Sequence, residues 1–300
     1  MNTITDFKTL YEQNKKNVKL KATSNPDLFV LKYDRKVFYK NLWNDFLEEC
    51  RGTVVDKDFN IVSLPFRKIY NFGVEDKAPK IRDDETIHWF RKINGFMVAM
   101  TWYNDDVLVS TTGSIDSDFV QIAKKYLTDD IRNAIKMYHG CTFMFECCDP
   151  SDPHIVHEEP GLYLIGIRRI SDGVLLTELY SNLGALIAIN MNVFFPESGI
   201  CTMGELRKMV KGVDHEGFVI YTEDGRSTKI KSKHYLIKKM FMRGNVEKLL
   251  DNNAKGLVEE EFYPLCDAIK ANREEFSALD EFQRREWIEN FLDTQVNYES

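Results

Sequence analysis

Lys92-Ile93-Asn94-Gly95 is followed by two strand-like runs, residues 97–103 and 107–111, with Asn104-Asp105-Asp106 between them. Asn-Gly is a turn signal, and a short Asn/Asp break between β-rich runs is a hairpin loop, so the stretch predicts a lysine at the entrance of an antiparallel hairpin. Working outward, further runs at residues 53–55, 142–145, 163–167, 218–221 and 227–230 read as strands, the last two joined by an Asp224-Gly225 turn. Helical spacing appears in Phe119, Ile122, Ala123 and Tyr126, then in Ile131, Ala134, Ile135 and Tyr138, which predicts core-facing helices. The fold class expected is α/β in the α+β sense, with antiparallel sheets.

The residues able to do chemistry fall beside those strands in a fixed order: Lys92, Glu146, Glu216-Gly217, then Lys229-Ile230-Lys231. Lysines two apart on a strand share a face, so Lys229 and Lys231 point to one ligand while Ile230 turns toward a core. Each piece alone has an ordinary reading, since Asn-Gly is a common hairpin corner and Lys-x-Lys is usually a solvated face. Their joint occurrence, in order and each beside a strand, is what carries information.

The surrounding segments extend the pattern. Glu49-Cys50-Arg51-Gly52 and Pro65-Phe66-Arg67-Lys68-Ile69-Tyr70-Asn71-Phe72 precede the lysine, and Gly113-Ser114-Ile115 follows its hairpin. Phe143-Met144-Phe145-Glu146, Leu164-Ile165-Gly166-Ile167-Arg168, Glu216-Gly217-Phe218-Val219, and Lys229-Ile230-Lys231-Ser232 with Tyr235 come after. Across residues 10 to 240 this series resembles the ATP-dependent RNA ligases of the phage RNA ligase 1 type, within the covalent nucleotidyltransferase superfamily. The resemblance implies a nucleotidyltransferase (ATP-grasp-like ligase) domain. It also implies a reaction in three steps: a lysine takes AMP and releases pyrophosphate, AMP passes to an RNA 5′-phosphate, and an RNA 3′-hydroxyl displaces AMP.

By position, the resemblance makes Lys92 the adenylylated nucleophile, puts Gly95 in the ATP/AMP site, and places Arg51 and Lys68 on the nucleotide or its phosphates. Glu146 and Glu216 serve ribose and metal, the latter mostly through water; Lys229 and Lys231 hold the α-phosphate and leaving pyrophosphate. Tyr235 and Val219 sandwich the adenine, with Tyr70 lining the same pocket. A lysine nucleophile must be neutral, yet at its unperturbed pKa only about 1 in 2,500 is deprotonated at pH 7. A hydrated Mg²⁺ (or Mn²⁺) and the two lysines are expected to lower that pKa. ATP and the divalent ion are the cofactors expected, and the partner is RNA with 5′-phosphate and 3′-hydroxyl ends, such as a cleaved tRNA. Two positions depart from the family: Asn94 stands where aspartate is usual, keeping an acceptor oxygen but losing a charge, and Thr112 stands where a lysine often precedes Gly-Ser-Ile. These departures keep a non-catalytic nucleotide-binding relative open as an alternative. A DNA ligase or GTP-dependent capping enzyme is the other, and those usually append an OB-fold barrel.

The 300 residues, 43% hydrophobic, can bury a sizeable core, and they read as a nucleotidyltransferase domain over 1–245 with a small all-helical domain over 246–300. In the latter, Phe262, Leu265 and Ile269 form one stripe and Trp287, Ile288, Phe291 and Leu292 another, separated by what reads as acidic surface. That segment holds 14 acidic against 6 basic residues, net −8, so the overall −7 leaves the rest near +1, and RNA is expected to avoid the tail. No apolar leader or membrane-length run is present, so the expectation is a cytoplasmic monomer, in the host cytoplasm if a phage encodes it. The six cysteines lack zinc spacing and read as reduced thiols. His154 and His157, near Asp149 and Asp152, sit among prolines and read as a loop; His215 could titrate beside Glu216.

Overall fold

A computed structural model describes residues 6–74, 77–176, 182–243 and 246–296. The chain opens with α1 (Phe7–Asn14), β1 (Val18–Ala22), β2 (Leu28–Tyr33), α2 (Arg35–Tyr39), α3 (Asp45–Glu49), β3 (Arg51–Asp56) and β4 (Ile61–Ser63). It continues through β5 (Tyr70–Asn71), β6 (Thr86–Arg91), β7 (Phe96–Tyr103), β8 (Asp106–Thr111), α4 (Asp118–Lys124), α5 (Asp129–Met137), β9 (Cys141–Cys148) and β10 (Gly161–Arg169). Then come α6 (Asn182–Asn190), β11 (Ser198–Thr202), α7 (Met203–Met209), β12 (Gly217–Thr222), β13 (Ser227–Lys231) and α8 (Lys233–Arg243). The end is helical: α9 (Ala254–Leu257), α10 (Tyr263–Ala271), α11 (Arg273–Ala278) and α12 (Glu281–Val296), with a 3₁₀ turn at Glu260–Phe262.

Two compact units result, and their boundary divides the Lys-x-Asn-Gly motif: residues 1–68, 95–153 and 158–196 form one, and 69–94, 154–157 and 197–300 the other. The first contains two antiparallel four-stranded sheets, β1-β2-β3-β4 and β10-β9-β7-β8. Its hairpin β7–β8 turns on two residues rather than three, because Tyr103 pairs with Asp106 and both Asn104 and Asp105 take positive φ. Asn and Asp tolerate that left-handed region, which matches the twist of the strands. Val98, Met100, Phe143, Phe145 and Leu164 fill the core beneath, with Ile131 and Ile135 of α5 packed on them. Burying each such side chain contributes roughly 1.5–3 kcal/mol. The two helical stripes are only partly internal, since Phe119 and Tyr138 at their ends are 42% and 40% exposed.

The second unit is built on the sheet β11-β6-β12-β13-β5, antiparallel except where β5 runs parallel to β13. Ile87, Trp89, Phe218, Ile220 and Ile230 from the sheet share one hydrophobic core with Phe262, Leu265, Ile269, Phe276, Ile288 and Leu292. The helices after residue 245 therefore bury their stripes against the sheet that carries the motif lysines. Among the described residues, no helix is long and apolar enough to cross a membrane.

Candidate active site

In the second unit, Lys92 leaves β6 and is anchored by its own backbone, whose N–H donates to the Gly217 carbonyl at 2.8 Å. Gly217 has φ +132°, and a Cβ there would lie 2.1 Å from the Ile230 carbonyl oxygen, so glycine is what lets β12 begin against β13 directly after Glu216. Glu216 is buried, 3% exposed, and its carboxylate is the hub of the site. One oxygen accepts from Asn94 Nδ2 at 2.8 Å and lies 3.1 Å from Lys92 Nζ; the other lies 3.5 Å from Lys231 Nζ. Burial would raise the Glu216 pKa, but the ammonium groups of Lys92, Lys231 and Lys239 outweigh it and hold the carboxyl below its ordinary range.

Asn94 now has a definite task. Its amide donates to Glu216, while its carbonyl oxygen accepts from Val156 N–H at 2.9 Å. A carboxylate only accepts and an amide N–H only donates, so the two partners fix which way the Asn94 side chain points. An aspartate in this place would set two carboxylates against each other.

Lys229 and Lys231 do share a face of β13, and Ile230 is 2% exposed in the core, as the alternation requires. They are, however, neutralised by carboxylates. Lys229 Nζ pairs with Glu260 at 2.9 Å, Lys231 Nζ with Glu261 at 2.8 Å, and Lys239 of α8 with Glu261 at 2.7 Å and also with Glu259. Glu260 and Glu261 are only 6% and 3% exposed. Burial opposes charge on Glu261, yet Lys231 and Lys239 keep its pKa depressed; the same burial opposes charge on Lys231, yet Glu261 and Glu216 keep its pKa well above an ordinary lysine's. The acidic run 259–261 is thus in large part internal counter-charge, whereas Glu274, Glu275, Asp280, Glu281 and Glu286, between the two apolar stripes, are exposed as the sequence reading expects. Nor does Lys92 stand among unbalanced cations, because its Nζ is held against Glu216.

Tyr235 is buried, with Lys231 and Lys239 ammonium groups 5.1 and 5.4 Å from its ring centroid. Cation–π contact is therefore what its ring offers first. Val219 is half-buried and registers with Lys229. Tyr70 is buried on β5, its carbonyl accepting from Thr228 Oγ1 at 2.9 Å. At His215, burial, then Arg91, lower the pKa, and Nδ1 accepts from Gly217 N–H.

The remaining sequence-selected residues belong to the first unit. Gly95 N–H donates to Glu146 Oε1 at 3.2 Å, and a Cβ on Gly95 would lie 2.3 Å from the Cys147 carbonyl oxygen, so the motif glycine is required by close backbone approach to β9. Lys68 is 6% exposed, its Nζ 4.8 Å from the Phe38 ring and 5.4 Å from that of Trp43. Arg51 opens β3, half-buried. Glu146 offers a half-buried carboxylate, the donor type that Mg²⁺ takes in ones or twos beside phosphate oxygens and water. Glu216 already receives three donors, which leaves its carboxylate less open than that of Glu146. His154, His157 and the nearby aspartates form no metal cluster; none of three or more His, Cys, Asp or Glu occurs among the described residues. Sequence reasoning missed Glu260, Glu261 and Lys239. The available signal was the flanking of the acidic run by Val258 and Phe262, apolar on both sides.

A sequence model of the RNA ligase family matches residues 49–241. RNA ligase 1 of bacteriophage TS2126 is 27% identical over 140 residues, 42% of this chain and 35% of that protein. RNA ligase of Rhodothermus phage RM378 is 22% identical over 185 residues, 48% of this chain and 42% of that protein. The matches thus span well under half the length of these curated relatives. In three dimensions, an archaeal ATP-dependent RNA ligase superposes with TM-score 0.61 over 96% of this chain and 75% of its own, at 11% identity. A putative ATP-dependent DNA ligase from Aquifex aeolicus gives 0.59 over 90% and 75%, at 15% identity. These likenesses establish a shared nucleotidyltransferase fold.

Proposed function

Because the chain belongs to the RNA ligase family, we propose that it joins RNA 5′-phosphate and 3′-hydroxyl ends at the expense of ATP, carrying AMP on Lys92. The observation that supports this most directly is the Lys92 ammonium held 3.1 Å from a buried carboxylate that also contacts Lys231. In the first step the deprotonated Lys92 amine attacks the α-phosphorus, the bond to the bridging oxygen of the β-phosphate breaks, and pyrophosphate leaves with the electron pair. Glu216 orients Lys92 through the hydrogen bond, and Asn94 orients Glu216. Lys229 and Lys231 stabilise charge on the α-phosphate and the leaving group, as preorganised cations do at a developing anion. Arg51 and Lys68 take nucleotide phosphates; Val219 and Tyr70 line the base, with Tyr235 acting on Lys231 as well as on the adenine. Glu146 would hold a Mg²⁺ or Mn²⁺ ion, which would supply neutralising charge for the triphosphate. The RNA 5′-phosphate then takes AMP from Lys92, and the 3′-hydroxyl displaces AMP to close the phosphodiester. Cleaved tRNA is the kind of substrate proposed.

Incubation with α-labelled ATP followed by denaturation tests the reading. Label should stay on the wild-type chain and be absent from Lys92→Ala. Label that persists on this variant would remove Lys92 from its role.

A further inference from the structure

The β1-β2-β3-β4 sheet sets cations against one another. Lys19 is the direct register partner of Lys32 across β1 and β2, and Lys32 is the partner of Arg51 across β2 and β3. Lys21 lies two residues from Lys19, on the same face. Like charges directly opposed on a sheet are destabilising. Lys32, in the middle of the row, registers the conflict: burial first, then Lys21, Lys19 and Arg51, push its pKa below that of an ordinary lysine.

The neighbouring carboxylates leave the row unbalanced. Asp34 pairs with Lys19 at 3.3 Å, and Asp116 is engaged by the backbone N–H and hydroxyl of Ser24. Lys21 donates to the Gly113 carbonyl oxygen, and Lys32 Nζ lies 2.9 Å from where a Cβ on Gly113 would be, so the turn after β8 meets the cations with its barest residue. Lys19, Lys21 and Lys32 are exposed. Strands lie about 4.8 Å apart, so three of them set a charged row roughly 10 Å long. A small anion is best held by converging donors; an exposed line of cations suits a linear polyanion, whose many charges offset the standing repulsion.

We propose that Lys19, Lys21 and Lys32, continuing from Arg51, form a track for the phosphodiester backbone of single-stranded RNA. The proposal rests on the RNA-joining reading above and gives that substrate a place of contact. The test uses the full chain, a 5′-phosphorylated single-stranded RNA and a range of salt concentrations. Replacing all three lysines (Lys19→Ala, Lys21→Ala, Lys32→Ala) should weaken RNA binding and flatten the slope of log K against log salt by about 2, from about 0.7 per phosphate contact on a single strand. The triple arginine variant should restore the slope, and labelling of Lys92 by ATP should stay within twofold in both. Unchanged RNA affinity and slope in the alanine variant, with the wild type still sealing RNA, would overturn the track alone. Loss of ATP labelling with RNA binding intact would also overturn it, assigning the row to the triphosphate. A wild-type protein that neither labels nor seals would instead overturn the function on which the track depends.

Discussion

Two groups of lysines in this molecule are handled in opposite ways. In the second unit, Lys92, Lys229, Lys231 and Lys239 face Glu216, Glu259, Glu260 and Glu261, and Glu216, Lys239, Glu260 and Glu261 are buried. In the first unit, exposed Lys19, Lys21 and Lys32 and half-buried Arg51 share a sheet face beside the buried Val30 and Val54, with Asp34 as the one carboxylate paired to them among the described residues. The buried set needs matched charge because an uncompensated ion in a dry interior costs several kcal/mol. The exposed set survives unmatched because water screens it. The first arrangement gives each ammonium a fixed position, which suits transfer at one phosphorus atom. The second gives charge without fixed position, which suits grip on a chain.

The contrast breaks most sharply at Glu261. Glu261→Ala should leave Lys231 and Lys239 buried with one counter-charge fewer and cost roughly 3–5 kcal/mol, read by urea unfolding, with Glu261→Gln costing less. The signs follow from the pKa directions. Glu261 is depressed, so its contribution is present above its ordinary 4.5 and is lost as pH falls through the lower folded value; Lys231 is raised, so its contribution is present below 10.5 and lost as pH rises through the higher one. Between those limits the contribution of this pair should be flat in pH. A Glu261→Ala variant within about 1 kcal/mol of wild type, the range of solvated pairs, would mean that the cluster is wet and that the two groups of lysines do not differ in kind. Phe262, adjacent and 4% exposed in the shared core, fixes the backbone beside this counter-charge.

A smaller effect is expected at Asn94, which links Lys92's carboxylate partner to Val156. Asn94→Asp should lose a charge-assisted hydrogen bond worth roughly 1.5–3 kcal/mol and add repulsion between two buried carboxylates. Such a pair holds a proton more tightly folded than unfolded, so the variant's stability should be greatest at low pH and fall as pH rises. Adenylyl transfer measured from pH 6 to 9 should show this falling limb relative to wild type. A variant as active as wild type at pH 9 would place Asn94 outside the hub.

These residues also mark how far the sequence could be read. Lys92, Glu216, Lys229 and Lys231 were legible because local signals single them out: an Asn-Gly break between strand-like runs, though it forms a bend between two sheets and not a hairpin turn, a Glu-Gly strand start, and alternation that sends Ile230 inward. The hub role of Asn94 was not, since it depends on Val156, 62 residues away, and on Glu216, 122 away. The counter-charge role of the acidic run 259–261 was not legible either, because composition alone cannot show that Lys231 and Lys239 approach it from elsewhere in the fold. The lysine row was illegible for the same reason. Strands β1 and β2 pair Lys19 with Lys32 only through their register, and Arg51 joins them only because the ladder shifts between Leu31 and Lys32, beside Gly52 at φ +98°.

The smallest expected effect tests that row without any ligand. Lys19→Ala and Lys32→Ala should each stabilise the protein, by roughly 0.2–1 kcal/mol, because each removes one member of an opposed like-charged pair. The double variant should gain less than the sum, since the first change already relieves the repulsion that the second would remove. At about 1 M salt, where the Debye length is roughly 3 Å, the gains should shrink. pH supplies an independent check of sign. Lys32 has a lowered folded pKa, so the unfolded chain binds its proton more tightly, and wild-type stability should rise as pH climbs through that lowered value toward 10.5. The advantage of Lys32→Ala should therefore narrow in the same interval. An additive pair of gains, or a gain that persists unchanged in high salt, would show that the register places these lysines together without their charges interacting, and the exposed group would then have no strain for a polyanion to relieve.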